Sequence, residues 1–146
     1  MINEIYAVLA GDATMTGLLS GGVHKGTVVH EVSRQNTPGA FDANREILPC
    51  ALVQQESLVP TSPFEPYQDG ARLYVLVHLY QRFGYEEIEA ARKRAYALLH
   101  RTRFNSADGT KCWRIEHSND LLGMEDMGLN CAMEVSRYVA VIERVR

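Results

Sequence analysis

The hydrophobic pattern of residues 71–82, ARLYVLVHLYQR, does not separate into one apolar and one polar face. Successive side chains of a β-strand point to opposite sides of the sheet. One face of this predicted strand carries Leu73, Val75, Val77 and Leu79. The opposite face is hardly more polar and carries Tyr74, Leu76, His78 and Tyr80. A strand in a small domain usually shows one face to water, so the pattern indicates that each face here has its own cover.

Two segments have the apolar spacing of amphipathic helices. Near the N-terminus the spacing predicts a first helix, in which the shared face carries Ile2, Ile5, Tyr6 and Leu9. Asp12 or Thr14 is predicted to cap a short second helical turn after it. The clearest helix is YEEIEAARKRAYALLHRTRF, residues 85–104. Its glutamates lie in the first turns, and Arg101 and Arg103 lie in the last, as the helix dipole favours.

Three further segments are predicted to be strands. They are about Leu48–Ser57, KCWRIEHS at 111–118, and AMEVSRYVAVIERVR at 132–146. One face of the last strand carries Met133, Val135, Val139 and Val141. Polar or proline-bearing stretches predict long loops at about 33–46, 58–70 and 118–131.

The order of these elements is helix, strand, strand, helix, strand, strand. Paired strands separated by helices favour an α+β fold with an antiparallel-rich sheet. We therefore predict a sheet of about four strands with two main helices packed on one face. The length of 146 residues is that of a single domain, spanning residues 1–146.

Composition and charge narrow the classes of function. The chain is 46% hydrophobic and 23% charged, as soluble globular proteins are, and its formal net charge is −3. That charge gives no overall attraction to nucleic acid or to an anionic membrane. The chain has no apolar run long enough to span a bilayer and no pattern of a secretory signal. Three widely spaced cysteines predict folding in a reducing compartment rather than a disulfide framework.

The sequence contains no spacing that is typical of a catalytic or metal site. Five histidines are scattered, without HExxH or HxH, and no CxxC occurs. There is no GxSxG nucleophile elbow, and GGVHKG does not match a phosphate-binding loop. The basic run ARKRAYALLHRTR indicates a solvated helix face or, alternatively, a contact with an acidic partner subunit. We therefore predict a protein that is not an enzyme and that holds no metal or cofactor.

Apolar side chains are concentrated in the predicted loop DLLGMEDMGL, residues 120–129. Such a loop either folds back over the core or offers an adaptable apolar contact to a partner, and the pattern leaves both alternatives open. The candidate interface combines this loop with the second face of the strand at 71–82. Its members are Tyr74, Leu76, Tyr80, Leu121, Leu122, Met124 and Met127.

Five segments of the chain resemble the tail-terminator, or tail-completion, proteins of long-tailed bacteriophages. The opening IYAVLAGDATMTGLLSGGV is similar to the short N-terminal helix of that family, and Pro49 with CALVQQE to its proline and first long strand. The family's next strand, helix and last strand are matched by RLYVLVHLYQR, EEIEAARKRAYALLHR and SRYVAVIER. The chain departs from the family after the first helix, where Gly21-Gly22-Val23-His24 stands in place of a glycine–arginine turn.

The resemblance implies a structural protein of the virion without catalysis. Family members form a ring, commonly a hexamer, which ends polymerisation of the tail tube and gives the capsid neck a surface to dock on. The implied partners are other copies of the chain, the tail-tube protein and head-completion or connector proteins, with no membrane and no sequence-specific nucleic acid. The implied location is the tail or neck of a virion assembled in the bacterial host cytoplasm. Two alternatives remain open: a head-completion or neck connector protein, and a dimeric α+β ligand-binding domain.

Overall fold

The protein is a mixed β-sheet with three α-helices, as seen in a computed structural model that describes residues 1–61 and 70–144. The helices are α1 (Ile2–Gly11), α2 (Ala13–Leu18) and α3 (Glu86–Leu99). The strands are β1 (Val23–Lys25), β2 (Cys50–Pro60), β3 (Gly70–Gln81), β4 (Phe104–Asn105), β5 (Lys111–Asp126) and β6 (Cys131–Glu143). None of the described helices is long and apolar enough to cross a membrane.

The sheet has six strands within the described residues, in the order β1-β2-β3-β6-β5-β4, and it curls into a half-barrel. Strand β1 pairs with β2 in parallel, and every other pair is antiparallel. The predicted fold of about four antiparallel strands with two main helices on one face is therefore wrong. Periodicity did not reveal β1 and β4, because strands of three and two residues are too short to show an alternation.

Strand β5 extends through most of the predicted loop at 118–131, so that prediction is also wrong. Residues 118–126 pair with β6, and only 127–130 form the turn between the two strands. The register of β5 shifts at three places, the last between Leu121 and Met124, where Gly123 adopts a φ of 64°. Each bulge adds a residue that breaks the alternation of side chains, which is why this strand does not show a strand pattern in the sequence.

The remaining loop predictions divide between described and undescribed residues. Residues 33–46 contain no strand of the sheet, but they include a short 3₁₀ turn at Pro38–Ala40 and an isolated bridge between Phe41 and Ile47. Of the predicted loop at 58–70, residues 58–60 belong to β2. Residues 62–69 of that prediction lie outside the described residues.

The main core lies between the three helices and one face of the sheet. The helices contribute side chains that are almost completely buried, namely Ile2, Ile5, Leu9, Met15, Ile88, Ala91, Ala95 and Leu99. The first face of β3 meets them with Leu73, Val75, Val77 and Leu79, as its spacing predicts. This burial of apolar area is the dominant favourable contribution to folding.

A network of charged side chains links α3 to strands β5 and β6. The Arg92 guanidinium donates from Nε to Glu134 Oε2 and from Nη1 to Asp120 Oδ2, each at 2.9 Å. Asp120 also accepts a hydrogen bond from Ser136 Oγ at 2.7 Å, and its Oδ1 lies 2.8 Å from His117 Nε2. Burial raises the pKa of Asp120, but the hydrogen bonds from Ser136 and His117 and the Arg92 charge outweigh it and lower that pKa.

A second polar contact ties the start of α2 to α3. Asp12 is the N-cap of α2 and accepts a hydrogen bond from the Met15 backbone N–H at 3.0 Å, which confirms one of the two predicted caps. Its carboxylate is also held by Arg94, with Nε to Oδ2 at 3.0 Å and Nη2 to Oδ1 at 2.8 Å. The hydrogen bond from Arg94 is the main reason that the pKa of Asp12 is lowered to about 2.

Replacing Arg94 with Gln should raise the pKa of Asp12 from about 2 towards its ordinary value of 3.8. Because the folded-state pKa is lowered, the stabilisation by this carboxylate is fully present above the unfolded value and disappears as the pH falls through the folded value. The variant should therefore lose that stabilisation at a higher pH than the wild type. An NMR titration of the Asp12 carboxyl carbon measures both midpoints. Lys93→Gln, which removes an exposed neighbour paired with Glu89, is the control, and equal midpoints in wild type and Arg94→Gln would contradict the assignment.

Candidate assembly surface

The second face of β3 is covered over only part of its length. At its C-terminal end, Tyr80 is 7% exposed because a segment of the same chain lies over it. This segment, residues 26–49, contributes Val32, Ala40 and Ile47 to a second apolar cluster. The sheet contributes the other members, which are Cys50, Leu52, Tyr80 and Cys131. The chain therefore supplies its own cover for this half of the face.

The cysteines lie in apolar surroundings and are not poised for chemistry. All three are free and buried. Burial raises the pKa of the Cys50 thiol to about 12 and that of Cys131 to about 11. The nucleophilic thiolate is therefore scarce at neutral pH, and these residues act as small core side chains.

The other half of this face forms an open, mainly apolar depression of about 370 Å³. Strands β2, β3, β6 and β5 bring its side chains together, with Gln54 opposite Leu76, Leu76 opposite Arg137 and Val135 opposite Leu121. The apolar lining consists of Leu76, Leu121, Met124, Met133 and Val135, and the polar lining of Glu56, His78, Asn119 and Arg137. We call this set the sheet-face depression.

A polar rim borders the sheet-face depression. The Arg137 Nε donates to Glu56 Oε2 at 2.8 Å, and the Arg137 guanidinium lies 4.5 Å from the centre of the Tyr74 ring. Both members of the ion pair are about one third exposed, so the pair contributes little to stability. An apolar centre with charged and aromatic groups at its edge is the usual arrangement of a protein–protein interface.

His78 is one of the four polar residues that line the sheet-face depression. Neither of its ring nitrogens has a hydrogen-bond partner among the described residues, although both atoms are buried. Burial lowers the pKa of His78, so its ring is neutral at pH 7. A neutral imidazole carries one donor and one acceptor, and leaving both without a partner is unfavourable.

The structure brings together three of the seven predicted interface residues. Leu76, Leu121 and Met124 line the sheet-face depression, and Tyr74 lies at its rim beneath Arg137. Tyr80 is instead part of the protein's own core. Leu122 is 56% exposed and does not line the depression, since the bulge after Leu121 turns it away. Met127 lies at the turn between β5 and β6 and is 86% exposed.

Sequence reasoning missed two apolar members of this surface although their signal was present. Met133 and Val135 share the predicted apolar face of β6 with Val139 and Val141. The register places that face beside the second face of β3, since Met133 lies opposite Tyr80 and Val135 opposite His78. Counting apolar residues on both faces of β6 would have flagged them.

The polar cluster beneath α3 superficially suggests catalysis, but its geometry does not suit a nucleophile. Ser136 is completely buried, and its hydroxyl donates to Asp120 rather than to His117. His117 contacts the same carboxylate oxygen, so the serine hydroxyl is hydrogen-bonded to a carboxylate and not to an imidazole. Among the described residues no group of three or more His, Cys, Asp or Glu is placed to hold a metal ion.

No protein-family model and no curated protein sequence matches this chain. A solved structure described as the virion of a native gene transfer agent (GTA) particle contains a chain of the same fold, with a TM-score of 0.64. The two chains are 12% identical, and the alignment covers 96% of this chain and 92% of that chain. At this identity the likeness establishes the fold alone.

Replacing Tyr80 with Ala should destabilise the protein by about 3–5 kcal/mol, since a large buried ring is removed and a cavity remains. Leu121→Ala should cost less than about 1 kcal/mol, because this side chain is half exposed in the isolated chain. Urea unfolding followed by circular dichroism measures both. If both variants lost similar free energy of unfolding, the face would not consist of one buried half and one open half.

Proposed function

We propose that this protein is a structural component of a phage-type virion, and that it forms a ring at the head-proximal end of the tail tube. The observation that carries the proposal is the fold, shared over nearly the full length of both chains with a chain of a gene transfer agent virion. The sequence resemblance to tail terminators supports the same reading from different evidence. In this role the ring ends polymerisation of the tube and joins the tail to the head.

The sheet-face depression is the surface that we assign to contact between neighbouring copies. It is apolar at its centre and polar at its rim, and it holds a histidine whose nitrogens have no partner among the described residues. In a ring, each copy presents one patch to a different patch on the next copy, because such heterologous contacts close by rotation. Burying the depression against the neighbour removes its exposed apolar area, above all that of Leu121, from water.

The ring explains the apolar excess of the sheet better than a ligand-binding domain does. A small-molecule site is a concave pocket with a few polar groups that converge on the ligand. The sheet-face depression instead has its charged groups paired with each other at the rim, with Arg137 bound to Glu56. An open apolar depression whose rim charges are already paired fits a protein partner.

Leu121→Asp should block assembly of the ring, whereas Leu122→Asp should leave it intact. The two residues are adjacent, identical in type and similarly exposed, at 50% and 56%, but only Leu121 lines the depression. Burying a leucine contributes about 1.5–3 kcal/mol, so Leu121→Asp should weaken assembly by about tenfold to a hundredfold.

The measurement combines light scattering of the purified variants with electron microscopy of polymerising tail-tube protein. We expect the wild type and Leu122→Asp to limit tube length and to form a ring on the tube end. Near-UV circular dichroism verifies that both variants are folded. Tubes of unlimited length with the wild type would overturn the terminator role, and a stable dimer in solution would favour the ligand-binding alternative. Normal assembly by Leu121→Asp would show that the depression is not part of the interface.

A further inference from the structure

Three arginines surround a hollow of about 520 Å³ at the end of the sheet where β3 finishes. They are Arg34, Arg45 and Arg82, and the hollow is also lined by Asn44, Glu46, Ile47, Leu129 and Asn130. We call this site the arginine hollow. It shares no lining residue with the sheet-face depression. Arg82 lies about 20 Å along the sheet from Leu76, since it is six positions further along an extended chain.

A tight turn at residues 41–47 fixes two of these arginines. The Asp42 carboxylate accepts hydrogen bonds from the backbone N–H groups of Asn44, at 2.8 Å, and Glu46, at 3.0 Å. The turn places Arg45 at a φ of 64°, and the Arg45 carbonyl accepts a hydrogen bond from Arg34 Nε at 2.8 Å. The Arg34 guanidinium also lies 5.0 Å from the centre of the Phe41 ring. The Arg34 side chain and the Arg45 backbone are therefore positioned before any ligand arrives.

The arginine hollow has more positive charge than the chain neutralises. Arg82 is paired with Glu46 inside the hollow. Neither Arg34 nor Arg45 forms a salt bridge with any residue that the structure describes. Glu31 and Asp126 line an adjoining hollow that includes Arg34, but neither is paired with it. Two guanidinium groups thus remain available for anionic groups, in a chain whose formal net charge is −3.

Exposed apolar side chains flank the same site. Phe83 is 72% exposed and lies beneath Arg82, with the guanidinium 4.5 Å from the ring centre. Met127 is 86% exposed, and it lines a second hollow together with Arg82 and Phe83. Aromatic residues, methionine and arginine are the types that are enriched where proteins bind one another.

We propose that the arginine hollow binds an acidic segment of a partner protein. Side-chain carboxylates of the segment pair with Arg34 and Arg45, since the planar guanidinium matches a carboxylate with two parallel hydrogen bonds. An apolar side chain of the segment packs on Phe83 and Met127. These exposed apolar residues, together with the negative net charge of the chain, favour a protein over a nucleic acid. The inference does not depend on ring formation.

The test uses the full-length protein and a fluorescent, glutamate-rich peptide that contains leucines. Fluorescence anisotropy should show saturable binding that weakens as salt is added. The double variant Arg34→Gln/Arg45→Gln should lower the affinity by about tenfold or more, because it removes both charge-assisted contacts. Its matched control is Arg101→Gln/Arg103→Gln. This pair removes the same charge, is exposed, and also includes one residue at positive φ, Arg101 at 61°.

Three other results would each overturn the proposal. An equal loss with the control pair would show a nonspecific charge effect, and unsaturable binding would show that no site exists. A random DNA duplex that binds more tightly than the peptide, and that depends on Arg34 and Arg45, would make the hollow a phosphate site. The Leu121→Asp variant should bind the peptide as the wild type does, which separates this result from the fate of the proposed ring.

Discussion

The central strand of the sheet is apolar on both faces, and the architecture follows from the need to cover each of them. Helices α1, α2 and α3 cover the first face, and residues 26–49 cover the end of the second face around Tyr80. The part of the second face around Leu76 and Met133 keeps water contact in the isolated chain. A sheet of this kind has a buried core of its own and still has apolar area left for association, which is the property that an assembling protein needs.

The sequence allowed prediction of the elements whose side chains repeat regularly. The strand predicted at 71–82 was confirmed as β3 at Gly70–Gln81. The helix predicted at 85–104 exists as α3 but ends at Leu99, so the arginines predicted for its last turn lie beyond it. The extent of β5 was not predictable from alternation, because at each of its three bulges the side chains that follow change to the other side of the pattern. Leu121 and Leu122 look equivalent in the sequence, and only the bulge that follows Leu121 decides which one joins the depression.

The sequence predicted which residue types form the candidate surface. It did not predict which part of the face is covered by the chain itself and which part stays open. Periodicity correctly placed Tyr74, Leu76 and Tyr80 on one face of a strand. It could not show that Val32 and Ile47, more than thirty residues away in the chain, lie over Tyr80 and remove it from any interface. The arginine hollow was also out of reach, because Arg34, Arg45 and Arg82 come together only through the turn at 41–47 and the end of β3.

Arg92 constrains the order in which this sequence can change over evolutionary time. It is bound to two carboxylates, and Glu134 is only 5% exposed. Losing the arginine first would leave two negative charges together in a poorly hydrated place, whereas losing one acid first leaves a balanced pair. One of the two acids should therefore be substituted before Arg92 is. Descendants of this chain that keep both acids while lacking a base at position 92 would contradict that order.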